Sequence, residues 1–154
     1  MTILTVFHPG GQAIANTIAA LQNLHAGIDG IEAAPTALSG YYDTAYLPLA
    51  WSHPGPTPNY GGWRESAQLR QYDRNYYVDV FVMPEGQGVG LDDGYQLTLA
   101  LLQRFGMAYL NDPNLSGAIA HFVSIQDTGA TLLRRGDVKY HGFRFTLTVR
   151  EKTA

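Results

Sequence analysis

The chain has 154 residues, of which 45% are hydrophobic, 15% charged and 12% aromatic, with a formal net charge of −3 and no cysteine. This length predicts one domain with a sizeable core, and the acidic balance argues against a dedicated nucleic-acid-binding protein, which needs a basic surface. Without cysteine, disulfide bonds, thiol catalysis and cysteine-ligated zinc are excluded.

The composition also bears on partners and location. The low charge and the ten tyrosines are typical of a chain with much of its surface against other protein, and equally of a tyrosine-rich β-sheet monomer. The first residues lack a basic segment followed by an apolar core, and no apolar run reaches the length of a membrane span. The expected location is therefore the cytoplasm.

The first element with a clear period is a helix from about Gln12 to near Gly27. Its apolar residues recur at helical spacings, with polar residues such as Thr17 on the opposite side. His25 lies on the apolar stripe and is interpreted as a packed histidine at the edge of the core. The predicted stripe consists of Ile14, Ile18, Leu21 and Ile28.

A strand is predicted over Tyr41–Trp51, at an edge of the sheet or bent at Pro48, because proline cannot donate to a ladder. Residues 52–62 then hold three prolines and three glycines. A backbone so poor in hydrogen-bond donors is not expected to join a sheet, so this stretch is predicted to project as an arm. We expect projecting loops near residues 52–68 and 84–91.

Leu69–Met83 is predicted to be a strand with large apolar side chains on both of its faces, so it is central or its second face is covered by a helix or a neighbour. Tyr76, Val78 and Val80 share one face, and Asp79 lies on the other. The glycine-rich loop that follows, residues 84–90, lacks the motifs of a phosphate-binding loop.

A second helix is predicted from Asp92 or Asp93 to about Leu110, with a proline shortly after it. Its predicted buried stripe consists of Tyr95, Leu99, Leu102 and Phe105, with Leu101 and Ala108 alongside. A third strand, Ile119–Gln126, is predicted to alternate, with Ile119, His121, Val123 and Ile125 on one face. Residues 127–137 look rich in turns, and Arg134-Arg135 is interpreted as a solvated loop tip.

The last strand, Tyr140–Glu151, alternates strictly. Phe143, Phe145, Leu147 and Val149 fall on one face, and Arg144, Thr146, Thr148 and Arg150 on the other. It is expected to pair with the preceding strand as a long hairpin. The predicted fold is one α+β domain over residues 1–154: a mainly antiparallel sheet of about four or five strands, with two helices against one face.

No catalytic constellation stands out. The five histidines are scattered, no serine lies in a Gly-x-Ser-x-Gly elbow, and Asp92-Asp93 is explained by helix capping. We therefore expect no enzyme activity, no cofactor and no metal site.

Several strings resemble the tail terminator proteins of long-tailed bacteriophages, also called tail completion or neck proteins. They are Leu47-Pro48 before Pro54-Gly55-Pro56, then Arg74–Val82, Asn111–Gly117 and Tyr140–Glu151. The resemblance implies a small α+β virion subunit without catalytic residues, assembled in the host cytoplasm. Such subunits form a ring, commonly a hexamer, at the head-proximal end of the tail tube. The ring stops tube polymerisation and docks to the head connector or stopper, and DNA passes through it without specific binding.

Under this resemblance, subunit or partner contacts are expected at His53, Tyr60, Trp63, Arg144 and Arg150, with the sheet extending between subunits. Arg144→Glu is then expected to impair assembly while leaving the monomer folded. The alternatives are another tail-tube or head–tail joining subunit, or a small ligand-binding or enzymatic α+β domain that uses its tyrosines and histidines in a pocket.

Overall fold

The computed structural model describes residues 9–35, 46–57, 73–86 and 91–151. Five strands form one antiparallel sheet in the order β1-β2-β5-β3, with β4 also pairing with β5. This confirms the predicted α+β class with two helices. The elements are α1 (Pro9–Ala26), β1 (Leu49–Pro54), β2 (Asp73–Pro84), α2 (Leu91–Asn111), a 3-10 turn (Leu115–Gly117), β3 (Ile119–Asp127), β4 (Thr131–Arg135) and β5 (Val138–Glu151).

The strands β3 and β4 follow one another along the same edge of β5. β3 pairs with the second half of β5 and β4 with its first half, so the predicted long hairpin is present. Its two-residue turn begins at Gly136, whose φ of +61° favours glycine. The supposed turn-rich stretch thus contains a strand, and Arg134 and Arg135 are strand residues opposite Lys139 and Val138.

The main core lies between the sheet and the two helices. The predicted inward face of β5 is confirmed, since its four apolar side chains are at most 2% exposed. They pack with the inward side chains of β2 and with both helices. Because side chains alternate along a strand, the same register turns Arg144, Thr146, Thr148 and Arg150 to the helix-free face.

The predicted buried stripe of α2 was right for Phe105 and wrong for two residues nearer the start of the helix. Phe105 is buried, as is Leu101, which was predicted alongside the stripe, but Tyr95 is 54% exposed and Leu99 39%. α2 carries two apolar stripes about 100° apart, the rotation that one residue makes in an α-helix. The stripe packed against the sheet includes the Phe105 and Tyr109 rings, while the third aromatic residue, Tyr95, lies outside it. The buried side chains are Thr98, Leu101, Phe105 and Tyr109.

The polar side predicted for α1 also contains a buried residue, Thr17. Its hydroxyl donates to the carbonyl of Ala13, 2.8 Å away in the same helix. A hydroxyl satisfied by its own backbone can enter a core at little cost, and hydropathy alone does not reveal this.

The strand β1 continues into the segment that was predicted to project. Ser52, His53 and Pro54 pair with residues of β2, and the Gly55 N–H donates to the carbonyl of Asn75 at 2.7 Å. β1 is an edge strand, where the missing N–H of Pro54 is tolerated. The expectation that this backbone cannot join a sheet was therefore wrong for residues 52–54. Residues 58–68 and 87–90 of the predicted loops lie outside the described residues, as do 41–45 and 69–72 of the predicted strands.

Strict alternation in β3 was also wrong. Irregularities in its pairing fall between Ile119 and His121 and between Phe122 and Ser124. An extra residue at a bulge shifts the phase of all that follow. Phe122 and Ile125 consequently pack against the core, while His121 and Val123 are exposed.

Within the described ranges, neither helix is both long and apolar enough to cross a membrane.

Candidate functional site on the helix-free face

The helix-free face of the sheet carries a row of polar cross-strand pairs between β2 and β5. The opposed residues are Asp73 and Arg150, Asn75 and Thr148, Tyr77 and Thr146, and Asp79 and Arg144. Side chains opposite one another in an antiparallel pair have Cβ atoms about 5 Å apart, close enough for direct contact. The polar alternation of both strands therefore produces one continuous ladder.

Asp79 is the centre of this face. It lies on β2, is 3% exposed, and has its partners on the two neighbouring strands, β1 and β5. Arg144 binds it through Nε to Oδ1 at 2.6 Å and Nη2 to Oδ2 at 3.1 Å, and His53 Nε2 lies 3.1 Å from Oδ2. A carboxylate this buried needs such partners, because an unpaired buried charge is costly.

Asp79 and Arg144 shift the pKa of one another. Burial by itself raises the pKa of Asp79, but the hydrogen bonds from His53 and Arg144 and the charge of the guanidinium outweigh it, so this pKa is lowered. The hydrogen bond to Asp79 in turn raises the pKa of Arg144. The carboxylate and the guanidinium therefore stay ionised as a pair.

Aromatic rings flank the Asp79 cluster. The Trp51 and His53 rings stack with centroids 3.8 Å apart, and Arg144 Cζ lies 4.6 Å from the centre of the Tyr77 ring. Arg135, from the end of the hairpin, lies 5.9 Å above Trp51. Cation–π contacts and ring stacking hold these side chains in one orientation.

A second ion pair lies further along the ladder. Arg150 donates through Nε to Asp73 Oδ1 at 2.9 Å and through Nη2 to Oδ2 at 3.2 Å. Between the two ion pairs, the Thr148 hydroxyl donates to Asn75 Oδ1 at 2.7 Å. The face is thus cross-linked along its length by groups that satisfy one another.

Of the contact residues predicted from the sequence, the structure brings together His53 and Arg144, both on Asp79. Arg150 lies on the same face but binds Asp73 instead. Tyr60 and Trp63 lie outside the described residues. Sequence reasoning missed the role of Asp79, although a carboxylate in the middle of a central apolar strand already signals the need for a cation.

A second polar group is enclosed in the core. His25 is fully buried, with Nε2 2.7 Å from the Tyr109 hydroxyl and Nδ1 3.4 Å from the Ser52 hydroxyl. Burial lowers the pKa of His25 to about 3, so the ring is neutral at physiological pH. The expectation of a packed histidine is confirmed, and its contacts tie α1 to α2 and β1.

The outer surface of the helices contrasts with the charged face. α1 contains no Asp, Glu, Lys or Arg, and Arg104 is the only residue of these four types at positions 94–111 of α2. Large apolar side chains are nevertheless exposed there. Leu97 is 41% exposed, Met107 50% and Leu110 67%. We call this surface, the outward sides of α1 and of residues 94–111, the helix layer. Depletion of charge with exposed Leu and Met is typical of a protein interface.

In comparisons with known proteins, no family model matches this chain and no curated protein is significantly similar to it. Among the described residues, no group of three or more His, Asp or Glu side chains is placed to hold a metal ion.

Proposed function

We propose that this protein is a structural subunit of a bacteriophage tail, of the tail terminator type. It forms a ring that ends the tail tube and docks to the head connector. The resemblance in the sequence supports the type of subunit. The single observation that carries assembly is the helix layer, an exposed surface with one formal charge.

The size of the helix layer fits a subunit interface. Its two segments, α1 and residues 94–111, have 18 residues each, so each is about 27 Å long and about 10 Å wide, and together they cover roughly 540 Å² in projection. A stable interface buries about 800 Å² per partner. The helix layer by itself therefore supplies most of that area.

Extension of the sheet from one subunit to the next is less well supported. The outer edge of β1 is partly occupied, because the Ala50 N–H donates to the Ala33 carbonyl at 2.9 Å, and Pro54 lacks a donor. The other edge, β3, is interrupted by its two irregularities. Both are ways in which proteins protect edge strands from pairing. The helix layer is therefore the better interface.

The ion pair of Arg144 also changes which substitution tests assembly. Arg144→Glu would place a second carboxylate against buried Asp79, and like charges opposite one another destabilise a sheet. If this variant failed to assemble, the cause could then be unfolding of the subunit and not loss of a contact between subunits. Substitutions on the helix layer avoid this problem.

We expect the purified protein to assemble into rings, alone at high concentration or on addition of the tail-tube protein from the same genome. Leu110→Glu should abolish assembly, because it replaces the 67% exposed apolar side chain of Leu110 on the helix layer by a charge, while the monomer stays folded. Light scattering after size exclusion and negative-stain electron microscopy measure the assembly, and circular dichroism checks the fold.

The matched control is Gln126→Glu, which adds the same charge to an exposed position opposite Thr146 on the helix-free face. It should assemble like the wild type. A wild-type protein that stays monomeric with tube protein present contradicts the proposal. Open tubes instead of rings would indicate another tail-tube or joining subunit. A monomer that binds a small molecule at His53 and Arg144 would indicate the ligand-binding alternative.

A further inference from the structure

The turn after α1 contains an Asp-Gly pair that is open to solvent. The Asp29 side chain is 98% exposed, and Gly30 follows it with a φ of +96°. The Ile31 N–H closes the turn by donating to the Ile28 carbonyl at 3.2 Å, whereas the Gly30 N–H donates no hydrogen bond within the described part of the chain. An aspartate that precedes glycine can react with its own backbone, because no Cβ hinders the approach of the glycine nitrogen to the carboxyl carbon. Asp29 and Gly30 meet the steric requirements of this reaction.

A second Asp-Gly pair, Asp93-Gly94, lies inside α2. Gly94 is packed against β2, since a Cβ on it would be 3.0 Å from Met83 Sδ, and its carbonyl accepts the Thr98 hydroxyl at 2.7 Å. Ring closure would require the backbone at Asp93 to leave its helical conformation, which costs helix hydrogen bonds and this packing. The fold therefore protects the second pair while it exposes the first.

We propose that Asp29 isomerises spontaneously to isoaspartate in the folded protein and that Asp93 does not. The Gly30 nitrogen loses its proton to solvent and bonds to Cγ of Asp29, and one carboxyl oxygen leaves as water, which gives a five-membered succinimide. Water then adds to one of the two ring carbonyls and breaks the bond from that carbon to the Gly30 nitrogen, which regains a proton. Opening at Cγ restores aspartate. Opening at the main-chain carbonyl leaves the chain running through Cγ, so the product is isoaspartate.

Arg104 is placed to direct the hydrolysis toward isoaspartate. Its Nη1 donates to the Asp29 main-chain carbonyl at 2.9 Å, whereas the Asp29 carboxylate is 4.0 Å away in an exposed and therefore weak ion pair. A guanidinium that donates to a carbonyl stabilises the negative charge that develops on its oxygen when water attacks. In isoaspartate the same carbonyl has become a carboxylate, so the contact with Arg104 becomes a charge-assisted hydrogen bond.

The modification alters the edge of the helix layer, whose only formal charge is Arg104. It lengthens the main chain by one methylene between α1 and β1 and places a carboxylate beside the guanidinium. The reaction needs no partner and no enzyme, so it occurs whether or not the protein assembles as proposed.

Peptide mapping of the full-length wild-type protein tests the site. The protein is incubated at neutral pH in water enriched in heavy oxygen, which labels every aspartate and isoaspartate formed from a succinimide. Mass spectrometry with electron-transfer fragmentation then distinguishes the two products. In the folded protein, label should accumulate at least about tenfold faster at Asp29 than at Asp93, and in urea the two rates should agree within about twofold. Similar rates at both positions in the folded protein, or no label at Asp29, would overturn the proposal.

Arg104→Met tests the role of the guanidinium. The ratio of isoaspartate to aspartate among the labelled products at position 29 should fall by about threefold or more, because the charged donor to the main-chain carbonyl is lost. The matched control, Arg134→Met, removes the same group from an exposed position on β4 and should leave the ratio unchanged. Circular dichroism checks that both variants fold. A ratio that does not respond to Arg104→Met would refute the role assigned to Arg104.

Discussion

At the scale of single residues, Asp79 shows how one buried carboxylate organises three strands. Its hydrogen-bond partners His53 and Arg144 come from β1 and β5. Only pairing brings them within 3.1 Å. His53 and Arg144, distant in the sequence, are thus part of one network because of the sheet register.

We expect the two arginines of β5 to differ in their contributions to stability. Arg144→Met should lower the free energy of unfolding by about 1–3 kcal/mol, because it leaves the buried Asp79 with only His53. Arg150→Met should cost less, since Asp73 is at the open end of the ladder and is 8% exposed against 3% for Asp79. Urea denaturation of both variants measures the free energy of unfolding, and equal losses in the two variants would contradict this prediction.

His25 predicts how stability depends on pH. Its pKa is about 3 in the folded protein and about 6.5 when unfolded, so between these values the unfolded state binds the extra proton. Stability is thus complete above pH 6.5 and falls as the pH drops, by about 3 kcal/mol between pH 7 and 4.5. The lowered pKa of Asp79 affects stability only below the usual pKa of 3.8. The pH range in which His25 lowers stability can therefore be separated from the range in which Asp79 does.

The variant His25→Gln removes the titrating ring but can still form hydrogen bonds in the core. It should be less stable at pH 7 and show a much shallower loss toward pH 4.5. The exposed His121→Gln should keep the wild-type slope. Thermal unfolding across this pH range measures both, and an unchanged slope in His25→Gln would refute the assignment.

At the scale of elements, the irregular pairing of β2 with β5 depends on one glycine. The pairing with β2 is irregular between Phe81 and Met83, beside Gly142. A Cβ on Gly142 would lie 1.9 Å from the carbonyl oxygen of Val80, closer than any side chain tolerates. The two strands thus approach closely at this irregularity, and their pairing continues beyond it to Pro84 and Tyr140.

Gly142→Ala should therefore destabilise the protein by about 3 kcal/mol or more, because backbone must move. Gly106→Ala is the matched control in α2, where the new Cβ would meet only Phe145 Cζ at 4.0 Å. It should stabilise the protein by about 0.5–1 kcal/mol, the usual gain from alanine within a helix. The denaturant midpoints of the two variants measure these changes in stability. A Gly142→Ala variant as stable as the wild type would contradict the role of the close approach.

At the scale of the whole molecule, charge is distributed unevenly. The helix-free face carries four charged residues that pair within the subunit, Asp73, Asp79, Arg144 and Arg150, beside an apolar cluster of Leu49, Phe81 and Tyr140. The helix layer exposes Leu and Met side chains and has one formal charge. A monomer in water gains nothing from this separation, whereas a subunit of an assembly uses the second surface for contact.

The sequence by itself determined the α+β class, the two helices, the inward face of β5 and the long hairpin. These follow from periodicity, which each segment carries locally. The buried stripe of α2, the joining of Ser52–Pro54 to the sheet, the irregular phase of β3 and the partners of Asp79 depended on tertiary structure. Each of them is a choice between local alternatives of similar energy, and contacts with residues far away in the chain make that choice.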